Sequence, residues 1–401
     1  TGVQTCALPI SVVLLGLGAC TASHQRTTTL RVWHFWSEPA QERAFTALIE
    51  AFERTHPDIR VETTPLQWSD GKAKLQIAFS SGTPPDVVHI GAEWVAEFAP
   101  VLADIPDSLT ANLCREFLPI GMAGQRRVAV PWTVNARVCF VHHQLKLPPE
   151  PRWSELVTRL RSFHAPPQRY GIGLCSSDPH NVLKRVLPWL WALGAPLLTV
   201  YPFSATCTGQ TAAALDTLTV LVACAVVEPS RSLDARMRRG ELGVVLSGVW
   251  MLADSLVLRQ YQVLPALPSR PGVRGESILS GDCFAVARSS MHREKAIEFL
   301  AYLARWESAA TFCHRVPDAG FPAQQPPTSA ALDSLLRRAP QWRHAYAQTL
   351  QSRLLPSPPV FLDAEYAVEE AITALLYGRS DGAQTTRMLA QRLRAIEGAH
   401  Q

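Results

Sequence analysis

From Leu30 to Glu93 the apolar residues switch repeatedly between a period of two and a period near 3.6, and this constrains the fold more than any other feature. Leu30 to Trp36 (LRVWHFW) alternates β-branched and aromatic residues, which predicts a strand. Phe45, Leu48, Ile49 and Phe52 then recur at helical spacing. Ser37 is the expected N-cap of that helix, with Glu38 and Pro39 in its first turn and His56-Pro57 as its stop. Ile59, Val61 and Thr63 alternate as a second strand. Trp68-Ser69-Asp70-Gly71 opens a second helix, with Leu75, Ala78 and Phe79 inward. Val87 to Ile90 reads as a third strand, and Glu93 opens a further helix. Strand, helix, strand, helix, strand is the pattern of an α/β sheet with right-handed crossovers.

The alternation resumes downstream. Strands are expected at Val128–Pro131, Arg137–Val141, Tyr170–Leu174, Leu242–Leu246, Val263–Leu267 and Cys283–Ala287. Helices are expected at Trp153–Phe163, Val182–Leu193, Ala212–Ala225 and Arg293–Arg305. Leu242–Leu246 is almost continuously apolar, as in a strand buried on both faces. A chain of 401 residues suits two or three domains. The reading is a two-lobed protein joined by extended crossings near Pro131–Val141 and Gly281. Residues 30–135 with 285–325 make the first lobe, and residues 136–284 with 326–401 the second.

Charge does not support a nucleic-acid surface, and composition excludes a multi-pass membrane protein and a tail-driven binder. The net charge is +4, and lysines and arginines are scattered without a basic block. The apolar run Ile10–Ala19 (ISVVLLGLGA) is too short to span a bilayer, which takes about 20 residues, but has the length of a signal-peptide core. Leu17-Gly18-Ala19-Cys20 resembles the lipobox of bacterial lipoproteins, which implies lipidation at Cys20, a signal peptide over residues 1–20 and a tether over 21–29. The remaining cysteines, 114, 139, 175, 207, 224, 283 and 313, form no C-x-x-C pair and read as small buried apolar residues.

Ligands of open α/β sheets sit outside the carboxyl ends of the strands. Trp36, Trp68, Trp94, Trp132 and Trp250 each fall at or just after such an end, beside Ser37, Glu38, Asp70, Glu93, Asn135, Gly281 and Asp282. An aromatic face against a sugar's C–H face, ringed by fixed acceptors, suits a carbohydrate. Trp132 and Trp250, one from each lobe, are expected to complete it on closure. Trp33, Trp191 and Trp306 lie inside elements and read as core. Catalytic signatures are missing: there is no G-x-S-x-G, H-E-x-x-H or G-x-x-x-x-G-K-[ST]. His142-His143 points to opposite faces of a strand and so holds no shared metal. A carboxylate pair, Glu38 with Glu93 or Asp70, leaves a glycan hydrolase open as a second reading.

Nine stretches resemble, in order, the family 1 extracellular solute-binding proteins of ABC importers. They are LRVWHFW, FERTHPDIRVE, SSGTPPDVV, EWVAEFAPVLADI, VAVPWTVNARVCFVHHQLK, RWSELVTRLRSF, MRRGELGVVLSGVW, REKAIEFLAYLARWE and GFPA. Val249 stands where that family commonly has Pro, and Gly281-Asp282-Cys283 where it has a glycine-rich stretch. The resemblance implies a type II periplasmic binding fold and a sugar captured by hinge closure without chemistry or cofactor. It further implies a monomer delivering to membrane permease subunits from the periplasm or the outer face of the cytoplasmic membrane. A phosphorylated polyol is a further ligand the resemblance allows, with Lys72, Lys74 and Arg137 as its basic candidates.

Overall fold

The computed structural model describes residues 1–2, 27–177, 181–198, 207–336, 339–355 and 361–399. Cys20, the Ile10–Ala19 run and most of the expected tether lie outside the described residues. The strands are β1 (Thr28–His34), β2 (Ile59–Pro65), β3 (Val87–Gly91), β4 (Met122–Ala123), β5 (Arg126–Arg127), β6 (Val130–His142), β7 (Tyr170–Cys175), β8 (Ala225–Glu228), β9 (Leu242–Gly248), β10 (Tyr261–Val263), β11 (Ile278–Val286), β12 (Phe321–Pro322) and β13 (Arg353–Leu354). The first seven helices are α1 (Pro39–Thr55), α2 (Gly71–Ser80), α3 (Val95–Phe98), α4 (Trp153–Phe163), α5 (Asn181–Ala192), α6 (Gly209–Val222) and α7 (Ser230–Arg238). Thr28 and Thr29, expected at the end of the tether, belong to β1 and pair with Ile59 and Arg60.

One sheet holds two parallel strand triplets. Its order is β2-β1-β3-β11-β6-β9-β7-β8. β2, β1 and β3 run parallel, as do β9, β7 and β8. Between these triplets lie β11 and β6, antiparallel to each other and to the strands they flank. The two strands expected at Val128–Pro131 and Arg137–Val141 are therefore one strand of 13 residues. Its first half pairs with β11 and its second, from Arg137, with β9. The polar Thr133, Asn135 and Arg137 interrupt its apolar pattern, which is why the sequence divides it.

The registers fix where the triplets point. Gly91, the last residue of β3, pairs with Asp282, and Asp282 pairs with Thr133. Gly248, the last residue of β9, pairs with Arg137. Both triplets thus aim their carboxyl ends at the middle of β6, about 13 Å apart along it at 3.3 Å per residue.

α1 packs on the first triplet through Ala44, Phe45, Leu48, Ile49 and Phe52, the apolar stripe its spacing predicts. Its N-cap is Glu38 rather than Ser37: the Glu38 N–H donates to Gln41 Oε1 at 3.3 Å, a back-bond that Ser37 is one residue too early to make. α4 matches its expected bounds, and α5 is buried along nearly its whole length. The helix expected to open at Glu93 is a single 3₁₀ turn, Ala92–Trp94, with Glu93 as its middle residue, followed by α3. No helix among the described residues is long and apolar enough to cross a membrane.

Candidate functional site

The first wall of the site is aromatic and comes from the turns after β1, β2 and β3. Phe35 stacks on Trp68 with centroids 4.4 Å apart and planes at 27°. Trp94 closes the group, 5.2 Å from Trp68 and 5.4 Å from Phe35. Gly71 makes the approach possible, since a Cβ there would lie 2.4 Å from Phe35 Cε1. Trp68 remains 48% exposed, so its ring is available to a ligand, and Trp94 is half-buried beside it. Lys72 Nζ lies 5.6 Å from the Trp94 centroid and pairs with Glu97 at 2.7 Å.

Beneath this wall a buried polar relay ties it to the crossing strands. The Phe35 N–H donates to His89 Nδ1 at 3.0 Å, so the ring proton resides on Nε2 and donates to Asp282 Oδ1 at 3.0 Å. Asp282 Oδ2 accepts from Thr133 Oγ1 at 3.0 Å. Both oxygens of Asp282 are engaged inside the protein and the residue is 7% exposed. It lies mid-strand rather than at a loop end, so it supports the aromatic turn instead of lining the cleft. Gly281, paired with Val134 in the same ladder, offers no side chain to a ligand.

Two of the expected cleft tryptophans are core. Trp132 is 1% exposed, packs on Phe312 at 4.5 Å and Phe284 at 5.1 Å, and donates Nε1–H to the Leu303 carbonyl at 2.9 Å. The pleat accounts for this: Trp132 and Thr133 point to opposite faces, and the face toward α1 is apolar. Trp36 is 5% exposed, sandwiched by His89 at 5.2 Å and Phe312 at 5.0 Å. Ser37 is half-buried, with its N–H on the Phe35 carbonyl, and Glu38 is exposed at the α1 cap.

The second wall is charged. Arg185 of α5 is 2% exposed and donates through Nη2 to Asp234 Oδ1 of α7 at 3.0 Å and to Ser247 Oγ of β9 at 3.3 Å. Ser247 Oγ also donates to Asp234 at 2.9 Å, and Trp250 Nε1 to its other oxygen at 3.4 Å. Trp250 lies over Gly248, where a Cβ would fall 1.8 Å from its ring. Its ring carries the Arg137 guanidinium 4.6 Å from the centroid, and Arg137 Nη2 reaches Asn181 Oδ1 at 3.3 Å. Burial, then the neighbouring Arg185, push the Arg137 pKa down to about 10, with Glu93 and Asp234 opposing. Asn135 is half-buried on β6, with Oδ1 lacking a hydrogen-bond partner.

The walls meet at Glu93, whose Oε1 accepts from Lys184 Nζ of α5 at 2.9 Å. Desolvation pushes the Glu93 carboxyl upward, but the Lys184 charge and hydrogen bond, with Arg137 behind, hold it below its ordinary value. That is the wrong direction for the general acid of a glycosidase. Asp70 is exposed and pairs with Lys74 at 2.9 Å. Lys72 and Lys74 are thus each matched by a carboxylate, and of the three basic candidates Arg137 alone has no ion pair among the described residues. Sequence reasoning missed Phe35, His89, Lys184, Arg185, Asp234 and Ser247. The Lys184-Arg185 pair within an otherwise apolar helical run was the available signal, because a buried charge demands partners.

A model of the bacterial extracellular solute-binding protein family matches residues 36–310. The chain belongs to that family. Among its relatives is an uncharacterized ABC transporter extracellular-binding protein of Pyrococcus horikoshii, 29% identical over 35% of this chain and 32% of that protein. An uncharacterized lipoprotein of Streptomyces antibioticus is 32% identical over 27% of this chain and 25% of its own length. The chain thus aligns with about a third or less of either relative. Among solved structures, the cyclic α-maltosyl-1,6-maltose binding protein of Arthrobacter globiformis superposes with a TM-score of 0.81 at 20% identity, over 92% of this chain and 99% of that one. At that identity the likeness establishes the fold, with two lobes about a crossing.

Proposed function

We propose that this solute-binding protein is the extracytoplasmic capture subunit of an ABC importer, taking a carbohydrate between its lobes and presenting the closed form to a membrane permease. The supporting observation is the exposed Trp68 face beside half-buried Trp94, set at the carboxyl ends of one parallel triplet and facing the polar ends of the other. A sugar ring stacked there buries apolar area while Glu93, Asn135 and Arg137 serve its hydroxyls. Closure needs no chemistry, provided that the ligand binds the closed form better than the open one. The sugar-binding neighbour and the transporter-named relative agree with this reading. The lobes we assign are residues 30–135 with 285–325 and residues 136–284 with 326–401, acting as a monomer. Lipidation at Cys20 would hold the protein at the outer face of the cytoplasmic membrane, in keeping with the lipoprotein relative.

The test is incubation of the purified protein with a panel of oligosaccharides, following melting temperature and product release together. A rise in melting temperature with the sugar unchanged is expected. Turnover that disappears in Glu93→Gln would replace this reading with the hydrolase.

A further inference from the structure

Buried charges are ordinarily paired, because desolvating an ion costs several kcal/mol that a partner must offset. Arg137 departs from that rule. The residue is 6% exposed, yet among the described residues its side chain's polar contacts are the Asn181 amide and the Trp250 ring, and its Nε has no hydrogen-bond partner. The carboxylates nearby are already committed: Asp234 to Arg185, Ser247 and Trp250, and Glu93 to Lys184. Glu369, buried behind α5, accepts from the Leu183 N–H at 3.1 Å. Among the described residues, Lys184 takes Glu93 and Arg185 takes Asp234, and Arg137 forms an ion pair with neither carboxylate. Arg185 repeats the pattern, with Nε and Nη1 unpartnered, and the Asn135 amide oxygen is unpartnered as well.

We propose that the ligand is an acidic saccharide, its carboxylate held by Arg137 while a sugar ring lies on Trp68 and Trp94. This rests on the carbohydrate reading above and names its substrate class. The guanidinium fork matches the two oxygens of a carboxylate. Charge separates a carboxylate from a phosphate. Among the described residues Arg137 is one cation without an ion pair, which a monoanion balances, whereas a phosphate monoester brings a charge of about −1.5 to −2. The stacked Trp250 keeps the guanidinium plane fixed, so little order is lost when the anion arrives.

The experiment is calorimetric titration of the full protein with trimers of uronic acids, the neutral trimers of the same sugars, and sugar phosphates. Acidic trimers are expected to bind about ten- to a hundredfold tighter than their neutral counterparts, the range for a charged hydrogen bond. That preference should shrink with added salt and fall to about twofold or less in Arg137→Gln. Neutral trimers binding as tightly as acidic ones overturns the proposal while leaving carbohydrate binding intact. A preference that survives Arg137→Gln, or sugar phosphates outcompeting the uronates, overturns the assignment to a carboxylate on Arg137. Should Arg137→Gln fail to fold, the wild-type comparison of charged with neutral trimers decides alone. Binding of no sugar of any kind overturns both readings.

Discussion

Phe35, Trp68 and Trp94 follow three strands of one parallel triplet within a few residues of each strand's end. Arg137, Arg185, Asp234 and Trp250 come instead from a crossing strand, two helices and a turn, brought together from across the second lobe. The first wall is local and apolar, with one face left open. The second is non-local and charged, and nearly every carboxylate oxygen in it is already used. The difference separates their expected roles: truncating the aromatic wall should cost affinity, and breaking the Arg185–Asp234 pair of the charged wall should cost the fold.

The sharpest break in that comparison is Asp234→Ala. It strips the buried Arg185 of its counter-charge and should lower stability by about 3–5 kcal/mol in chemical denaturation. A loss below about 1 kcal/mol would mean that water reaches Arg185 and that the wall is not a closed network. Trp132→Ala should cost a similar amount, about 3–5 kcal/mol, because the ring fills the space between α1, β11 and Phe312. A well-folded Trp132→Ala protein with weakened ligand binding would return that residue to the cleft.

Acid should act first on His34, a buried residue of β1 that packs on Phe45 at 4.7 Å. Burial, with His89 adding to it, lowers His34 from 6.5 to about 3. Below pH 6.5 the unfolded chain takes up that proton and the folded chain does not, so stability should fall toward pH 3 at about 1.4 kcal/mol per pH unit for this group. His34→Leu should flatten that part of a stability–pH curve; an unchanged slope would show that the ring protonates in place. The smallest effect belongs to Glu93→Gln. Glu93 titrates below its ordinary 4.5 in the folded protein, so its pair with Lys184 contributes above that pH and fades as the pH falls through the lower folded value. Partly exposed and screened, the pair should be worth less than about 1 kcal/mol and weaken with salt. A larger, salt-independent loss would make it a rigid latch between the walls.

The fold was largely legible because its signals are local. Phe45, Leu48, Ile49 and Phe52 announce α1 by spacing, and Leu242–Leu246 announces β9 by continuous apolarity. The aromatic wall was legible in part for the same reason: Trp68 and Trp94 follow strand signals directly. Trp36 and Trp132 have the same flanks but point to the other side, and the face a strand buries is set by what packs there, here α1 and Phe312. Asp282 lies in the crossing near Gly281 that the sequence reading made extended, but its partner His89 is 193 residues away, so its role in the relay could not be seen. The charged wall was the least legible. Asp234 and Arg185 are 49 residues apart, and nothing in the sequence near either names the other.

The most direct measurement is the affinity of Trp68→Ala for an oligosaccharide that wild type binds, with melting recorded on the same sample. Trp68 is 48% exposed, so truncation should leave stability within about 1 kcal/mol while binding weakens by about 1–3 kcal/mol, roughly ten- to a hundredfold. Unchanged affinity with a sharply lowered melting temperature would contradict the account, because the aromatic wall would then be core and the ligand would bind elsewhere.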